Sequence, residues 1–204
     1  MEKRTLGTTG WEISVISFEV IKLSRLSQKK CNILLNQAID GGINFVDTAD
    51  CYGDSEEKIG IALRARRKKN YLSTKIDERD GSGVQKKLER CLRRLKTDWI
   101  DLVLFHDVRG SEYDRIFDSG GLETLIRAKE QGEIREIGIS IYHSLSMMRS
   151  TIESGVFSTL MVAYSGLDED KLAADILPVA DKMGVGLIAM KPLAGGRLAE
   201  RPSF

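Results

Sequence analysis

The sequence predicts an α/β fold in which parallel strands alternate with helices and curl into a barrel. Three observations predict it. Short apolar runs recur between longer amphipathic stretches from about residue 15 to residue 190, the alternation expected of parallel strands joined by right-handed crossovers. No low-complexity linker breaks the series. Polar residues stand singly at the downstream ends of the runs: Asp47 after 43–46, Lys75 after 71–74, His106 after 100–105, with Tyr52 just beyond Asp47. Neighbouring parallel strands would bring all four to one mouth of the sheet, where barrels of the (β/α)8 or TIM-barrel type do their chemistry.

The elements follow in order. Residues 5–13 contain Gly7-Thr8-Thr9-Gly10, a turn between two short segments, and read as an N-terminal β-hairpin. Val15-Ile16-Ser17-Phe18 reads as the first barrel strand. Ser27 offers an N-cap for a helix carrying Cys31, Leu34, Leu35, Ala38 and Ile39 on one face, ended by Gly41-Gly42. The unit then repeats: strand 43–47, helix 54–67, strand 71–75, helix 82–96, strand 100–105, helix 119–131, strand 135–140, helix 144–154, strand 158–163, helix 168–183, strand 185–190. One long irregular stretch, 107–118, follows His106, a useful place for a substrate loop.

Seven strands follow the hairpin where a closed barrel has eight. The expectation is therefore one domain over residues 1–204 that is apparently incomplete, truncated at its C-terminal end by the last β/α unit. Its first and seventh strands would be open edges inviting self-association.

With 42% hydrophobic and 30% charged residues, the 204-residue chain can bury one substantial core. The 31 basic and 30 acidic residues leave a formal charge of +1, so no global field favours nucleic acid or an anionic membrane. Cys31, Cys51 and Cys91 are odd in number and widely spaced, which suits neither a disulfide framework nor a metal cluster. Neither a secretory leader nor a run of membrane-spanning length is legible. The expected location is the cytoplasm and the expected partner a small molecule. Arg64-Ala65-Arg66-Arg67-Lys68-Lys69 reads as a solvated helix end, Met147-Met148 as core filler, and His143 equally as a mouth residue or as the opening of a helix.

A phenol, an ammonium, a carboxylate and an imidazole at one mouth suit proton transfer to a carbonyl oxygen during hydride reduction. The run from Gly42 through Asp47-Thr48-Ala49-Asp50-Cys51-Tyr52-Gly53 to Glu56, with Ser73-Thr74-Lys75, Leu104-Phe105-His106 and Ile137-Gly138-Ile139-Ser140, resembles the aldo-keto reductases along nearly the whole chain. Residues 53–60 and 189–196 look most like a bacterial and archaeal branch whose longer members append a ferredoxin-like segment, absent here.

The resemblance implies a reductase of aldehydes or ketones that uses NADPH rather than NADH. Tyr52 would be the general acid, Lys75 its electrostatic aid, Asp47 the holder of Lys75, and His106 the neutral donor orienting the carbonyl. Ser140 would bond the nicotinamide carboxamide and Tyr164 would stack on its ring. Met190, Lys191, Pro192, Leu193 and Gly195 would line the pyrophosphate. No metal is implied. Four positions depart from the family pattern: Ile141 for an asparagine, Met161 for a glutamine, and Glu19 and Val20 for glycines after the first strand. Each lost amide donor weakens the cofactor's grip by about 1 kcal/mol. Glu19 puts bulk and charge where the chain should approach the cofactor closely, and the basic loop that would hold a 2′-phosphate has no counterpart. These departures support an alternative, a weakly active or inactive barrel module that binds a nucleotide or a protein.

Overall fold

The computed structural model describes residues 1–167 and 171–199. The expected start of a helix at 168 and the chain end at 201–204 lie outside the described residues.

Strands β1 (Lys3–Thr5) and β2 (Glu12–Ser14) form an antiparallel hairpin around a 3-10 turn, Gly7–Thr9. Seven parallel strands follow: β3 (Phe18–Glu19), β4 (Phe45–Asp47), β5 (Tyr71–Ile76), β6 (Ile100–Phe105), β7 (Ile134–Ser140), β8 (Thr159–Ala163) and β9 (Gly186–Met190). Each pairs with the next in sequence, and the sheet curls into an incomplete barrel with β3 and β9 at its edges. Helices α1 (Gln28–Asp40), α2 (Ser55–Leu63), α3 (Gly81–Leu95), α4 (Glu112–Asp118), α5 (Gly121–Glu130), α6 (Leu145–Glu153), α7 (Lys171–Asp175) and α8 (Leu177–Met183) supply the crossovers.

Strand periodicity creates two apolar layers. Along β6, Val103 and Phe105 join the large layer between sheet and helices, while Leu102 and Leu104 join an inner layer with Leu6, Phe45, Met161 and Ile188. The hairpin closes the floor of the barrel: Thr8 N donates to Gly184 O at 2.8 Å. Gly7, at φ +51°, lies so close that a Cβ there would meet Gly186 N at 2.4 Å, so only glycine fits.

Four expectations need correction. The first strand begins at Phe18, not at residue 15, and Val15 and Ile16 are 45% and 58% exposed. The cause is Asn44, whose side chain accepts from Ser14 N at 2.7 Å and donates to Glu12 O at 2.8 Å; it holds the chain to the hairpin until Phe18 finds its partner Val46. Leu34 is exposed, and the buried side of α1 runs through Cys31 and Leu35. Residues 107–118 contain α4, which buries Ile116 among charged neighbours that masked its period. The helix expected to run to 183 divides after Asp175, and Pro178 opens α8, where a missing N–H costs nothing. Elsewhere, the helix after β4 ends at Leu63 and continues as a 3-10 turn, Arg64–Lys69. Among the described residues no helix is long and apolar enough to cross a membrane.

Candidate active site

The ends of β4, β5 and β6 place three of the expected side chains. Asp47 closes β4, Lys75 is the penultimate residue of β5, and His106 follows β6. Tyr52 comes from the loop after β4, whose path is fixed by backbone bonds from Thr48 N to Ser73 O (2.9 Å) and from Asp50 N to Lys75 O (3.1 Å). The Asp50 carboxylate, 1% exposed at the side chain, secures the loop from outside by accepting from Lys87 Nζ and Arg90 Nε of α3, both at 2.7 Å.

Lys75 is fully buried, with Nζ donating to Asp47 Oδ2 and to the Thr48 carbonyl at 2.8 Å. Burial raises the Asp47 carboxyl and the charge of Lys75 opposes that rise. The Lys75 ammonium lies over the Tyr52 ring, 5.2 Å from its centre. The Tyr52 hydroxyl instead donates to Glu19 Oε1 at 3.1 Å. Burial first, and then the negative charges of Glu19 and Asp47, push the phenol well above its ordinary range. His106 stands edge-on to Tyr52 with ring centres 5.9 Å apart. Burial and the charge of Lys75 lower its pKa to about 4, so the imidazole is neutral at physiological pH. Its Nδ1 lies 3.6 Å from the exposed thiol of Cys51.

Ser140, the last residue of β7, is wholly buried beside this group. Its hydroxyl accepts from Asp107 N at 2.7 Å and donates to Phe105 O at 3.4 Å, bracing the turn after His106. Asp107 there holds φ +44°, a strained conformation for a non-glycine residue. Tyr164 is half-buried against the layer between sheet and helices, tied to β9 through its amide on Met190 O (3.1 Å). It does not line the cleft described next.

Between β3 and β9 opens a cleft of about 950 Å³, bordered near the mouth by Glu19, Asp47, Met190, Lys191 and Pro192. Leu193 and Gly195 lie beyond it, on exposed backbone where Gly195 and Gly196 take positive φ. The other walls of the cleft are the hairpin, α8 and β9, so the volume runs along the open side of the sheet from floor to mouth. The residues at its mouth fit a nicotinamide: Tyr142 Oη is buried without a hydrogen-bond partner, and the Lys191 ammonium at the edge of the cleft lies over the Tyr142 ring at 5.6 Å. Glu19, Cys51 and Tyr142 belong to the site although sequence reasoning gave them no place in its chemistry. His143 is exposed, 3.7 Å from the Asp107 carboxylate. Asp50, Glu56 and Cys91 gather ligand atoms within 4.8 Å of one another, but Lys87, Arg90 and Arg94 supply the positive charge there.

The family model for the aldo/keto reductase family matches residues 6–203. An uncharacterized oxidoreductase, YqkF of Bacillus subtilis, is 32% identical over 99% of this chain and 68% of its own length. The methylglyoxal reductase DkgA of Yersinia pestis is 31% identical over 66% of this chain and 48% of its own. Among solved structures, the holo form of aldo-keto reductase AKR11C1 from Bacillus halodurans superposes with a TM-score of 0.87, at 29% identity over 99% of this chain and 70% of that one.

Proposed function

The chain belongs to the aldo/keto reductase family of oxidoreductases, and from that premise we propose that it reduces an aldehyde or ketone to an alcohol with NADPH. The observation that carries the reading is the meeting of Tyr52, Lys75, Asp47 and His106 at one mouth, with Asp47 also on the border of the open cleft. A nicotinamide bound in the cleft would supply the hydride, held by Met190, Lys191 and Pro192 with Ser140 and Tyr142 near its ring. Tyr52 gives its proton to the carbonyl oxygen. His106, neutral, donates a hydrogen bond to the same oxygen and polarises it. Lys75, aimed by Asp47, presents its field through the face of the Tyr52 ring and offsets the phenolate left behind. A small carbonyl compound is the substrate class that the methylglyoxal reductase relationship supports.

The test is steady-state turnover of methylglyoxal and other reactive aldehydes with NADPH and with NADH, by the chain and by Tyr52→Phe. Loss of the proton donor should lower turnover by about 10²- to 10⁴-fold while NADPH binding changes little. Equal rates would remove Tyr52 from its role. The hydrogen bond of Glu19 on Tyr52 favours a second reading, a barrel that binds nucleotide without turning it over. Tight NADPH binding with no carbonyl turnover would establish that reading instead.

A further inference from the structure

A proton given up inside a barrel mouth has to be replaced, and hydrogen bonds set the route. The Tyr52 side chain is buried, 9% exposed, and its hydroxyl donates to Glu19 Oε1 at 3.1 Å. The nearest cation offers no path outward: Lys75 is fully buried and spends its hydrogen bonds on Asp47 and the Thr48 carbonyl. Glu19 does offer one. It is exposed, ends the edge strand β3, and borders the open cleft. Its register partner on β4 is Asp47, so both carboxylates stand on the same face of the sheet.

We infer that Glu19 is the group through which the Tyr52 hydroxyl exchanges its proton with solvent. The inference rests on the reductase reading above and adds a residue that acts through Tyr52. Where a bound nicotinamide would supply hydride to the carbonyl carbon, the carbonyl oxygen takes the Tyr52 proton. The Glu19 carboxylate, the acceptor of the phenol in the structure, then takes a proton from water, releasing hydroxide, and passes it to the phenolate oxygen. In the oxidising direction the protons run the other way: the alcohol proton passes to the phenol oxygen and the phenol proton to the Glu19 carboxylate, while a bound oxidised nicotinamide would take the hydride.

The Glu19 carboxylate biases the direction: at hydrogen-bond distance it opposes departure of the phenol proton in reduction and accepts that proton in oxidation. The groups facing Glu19 are Tyr52 from the loop after β4, Asp47 from β4 and Tyr142 from the turn after β7, and Lys191 borders the same cleft. Glu19 is the exposed carboxylate among them.

Two measurements on the full chain test this. The first is the pH profile of kcat/KM in both directions for the wild type, Glu19→Gln and Glu19→Ala. The wild type should show reduction falling and oxidation rising with pH. Glu19→Gln should flatten that limb and oxidise about tenfold or more slowly at pH 8, and added formate should restore the limb in Glu19→Ala. The second is ultraviolet titration of the phenol without nucleotide, taken as the difference from Tyr52→Phe, in which Glu19→Gln should ionise Tyr52 at lower pH because a neighbouring anion is gone. A limb that persists unchanged in both Glu19 variants overturns the relay and leaves the reductase reading standing. A wild type that turns over no carbonyl compound at any pH overturns both.

Discussion

The Lys75 ammonium lies over the face of the Tyr52 ring, 5.2 Å from its centre, while its hydrogen bonds go to Asp47 and to the Thr48 carbonyl. Lys75 is therefore a fixed charge beneath the phenol, and the hydroxyl makes its hydrogen bond to Glu19 instead. The pair of Lys75 and Asp47 is held by burial, and burial makes it fragile to the loss of either member.

Lys75→Met should cost about 3–5 kcal/mol of stability, because the Asp47 carboxylate would remain buried without its cation. Urea unfolding at neutral pH checks this. The double variant Lys75→Met with Asp47→Leu should recover much of the loss, since removing both charges spares the desolvation that removing one leaves exposed. A single variant as stable as the wild type would contradict the burial described here.

His106 should titrate near pH 4 in the folded chain, against about 6.5 when unfolded. Between those values the unfolded chain binds more protons, so stability rises with pH across the window and is lost as pH falls through it. Histidine proton resonances follow the titration directly, because the sequence holds only one other histidine, His143. His106→Gln should flatten the acid side of the stability curve. A midpoint near 6.5 would mean the ring is more solvated than its packing against Tyr52 implies.

Asp50→Asn should loosen the loop that carries Tyr52, since Lys87 and Arg90 would lose the carboxylate they share. Stability should drop by about 1–3 kcal/mol, and kcat should fall more steeply than nucleotide affinity, because the loop positions the proton donor and not the cleft. Thermal unfolding and steady-state kinetics, run together, separate these effects. An unchanged kcat would show that backbone bonds alone hold the loop.

Self-association is expected at the edge near β3, where Val15 and Ile16 are exposed beside a strand of two residues. Ile16→Lys should shift light scattering toward the monomer without lowering the melting temperature. A wild-type chain already monomeric at high concentration would remove the premise.

The sequence disclosed the alternation of strands and helices because apolar runs such as Ile100–Phe105 are long and sharply bounded. It pointed to Asp47, Lys75 and His106 because each stands at the downstream end of such a run, and to Tyr52 because it follows Asp47 closely. It misled at Val15 and Ile16, whose apolar character imitates a strand although the deciding contact is a side chain thirty residues away in sequence, Asn44 on Ser14. Glu19 was legible only as an intruder near a cofactor. Its bond to Tyr52 depends on the pairing of β3 with β4, a relationship between distant residues that no local period encodes. Ser140 was legible only through the family resemblance, as a partner of the nicotinamide carboxamide, and its hydroxyl is engaged by backbone groups whose positions depend on the strained turn at Asp107.

The seat of Gly7 against Gly184 and Gly186 carries a consequence for how the chain is made. Each barrel strand pairs with its neighbour in sequence, so the sheet can grow as the polypeptide lengthens, one short-range addition after another. The hairpin is the exception: synthesised first, it finds its surface on the strand that leaves the ribosome last of the seven. Until then its apolar side and the inner layer around Leu6 stay wet. Docking it closes a loop that spans all seven barrel strands, with the entropy loss that such a length carries. The hairpin should thus be among the last elements to gain hydrogen-exchange protection, and the growing sheet should depend on shielding of that inner layer while it waits.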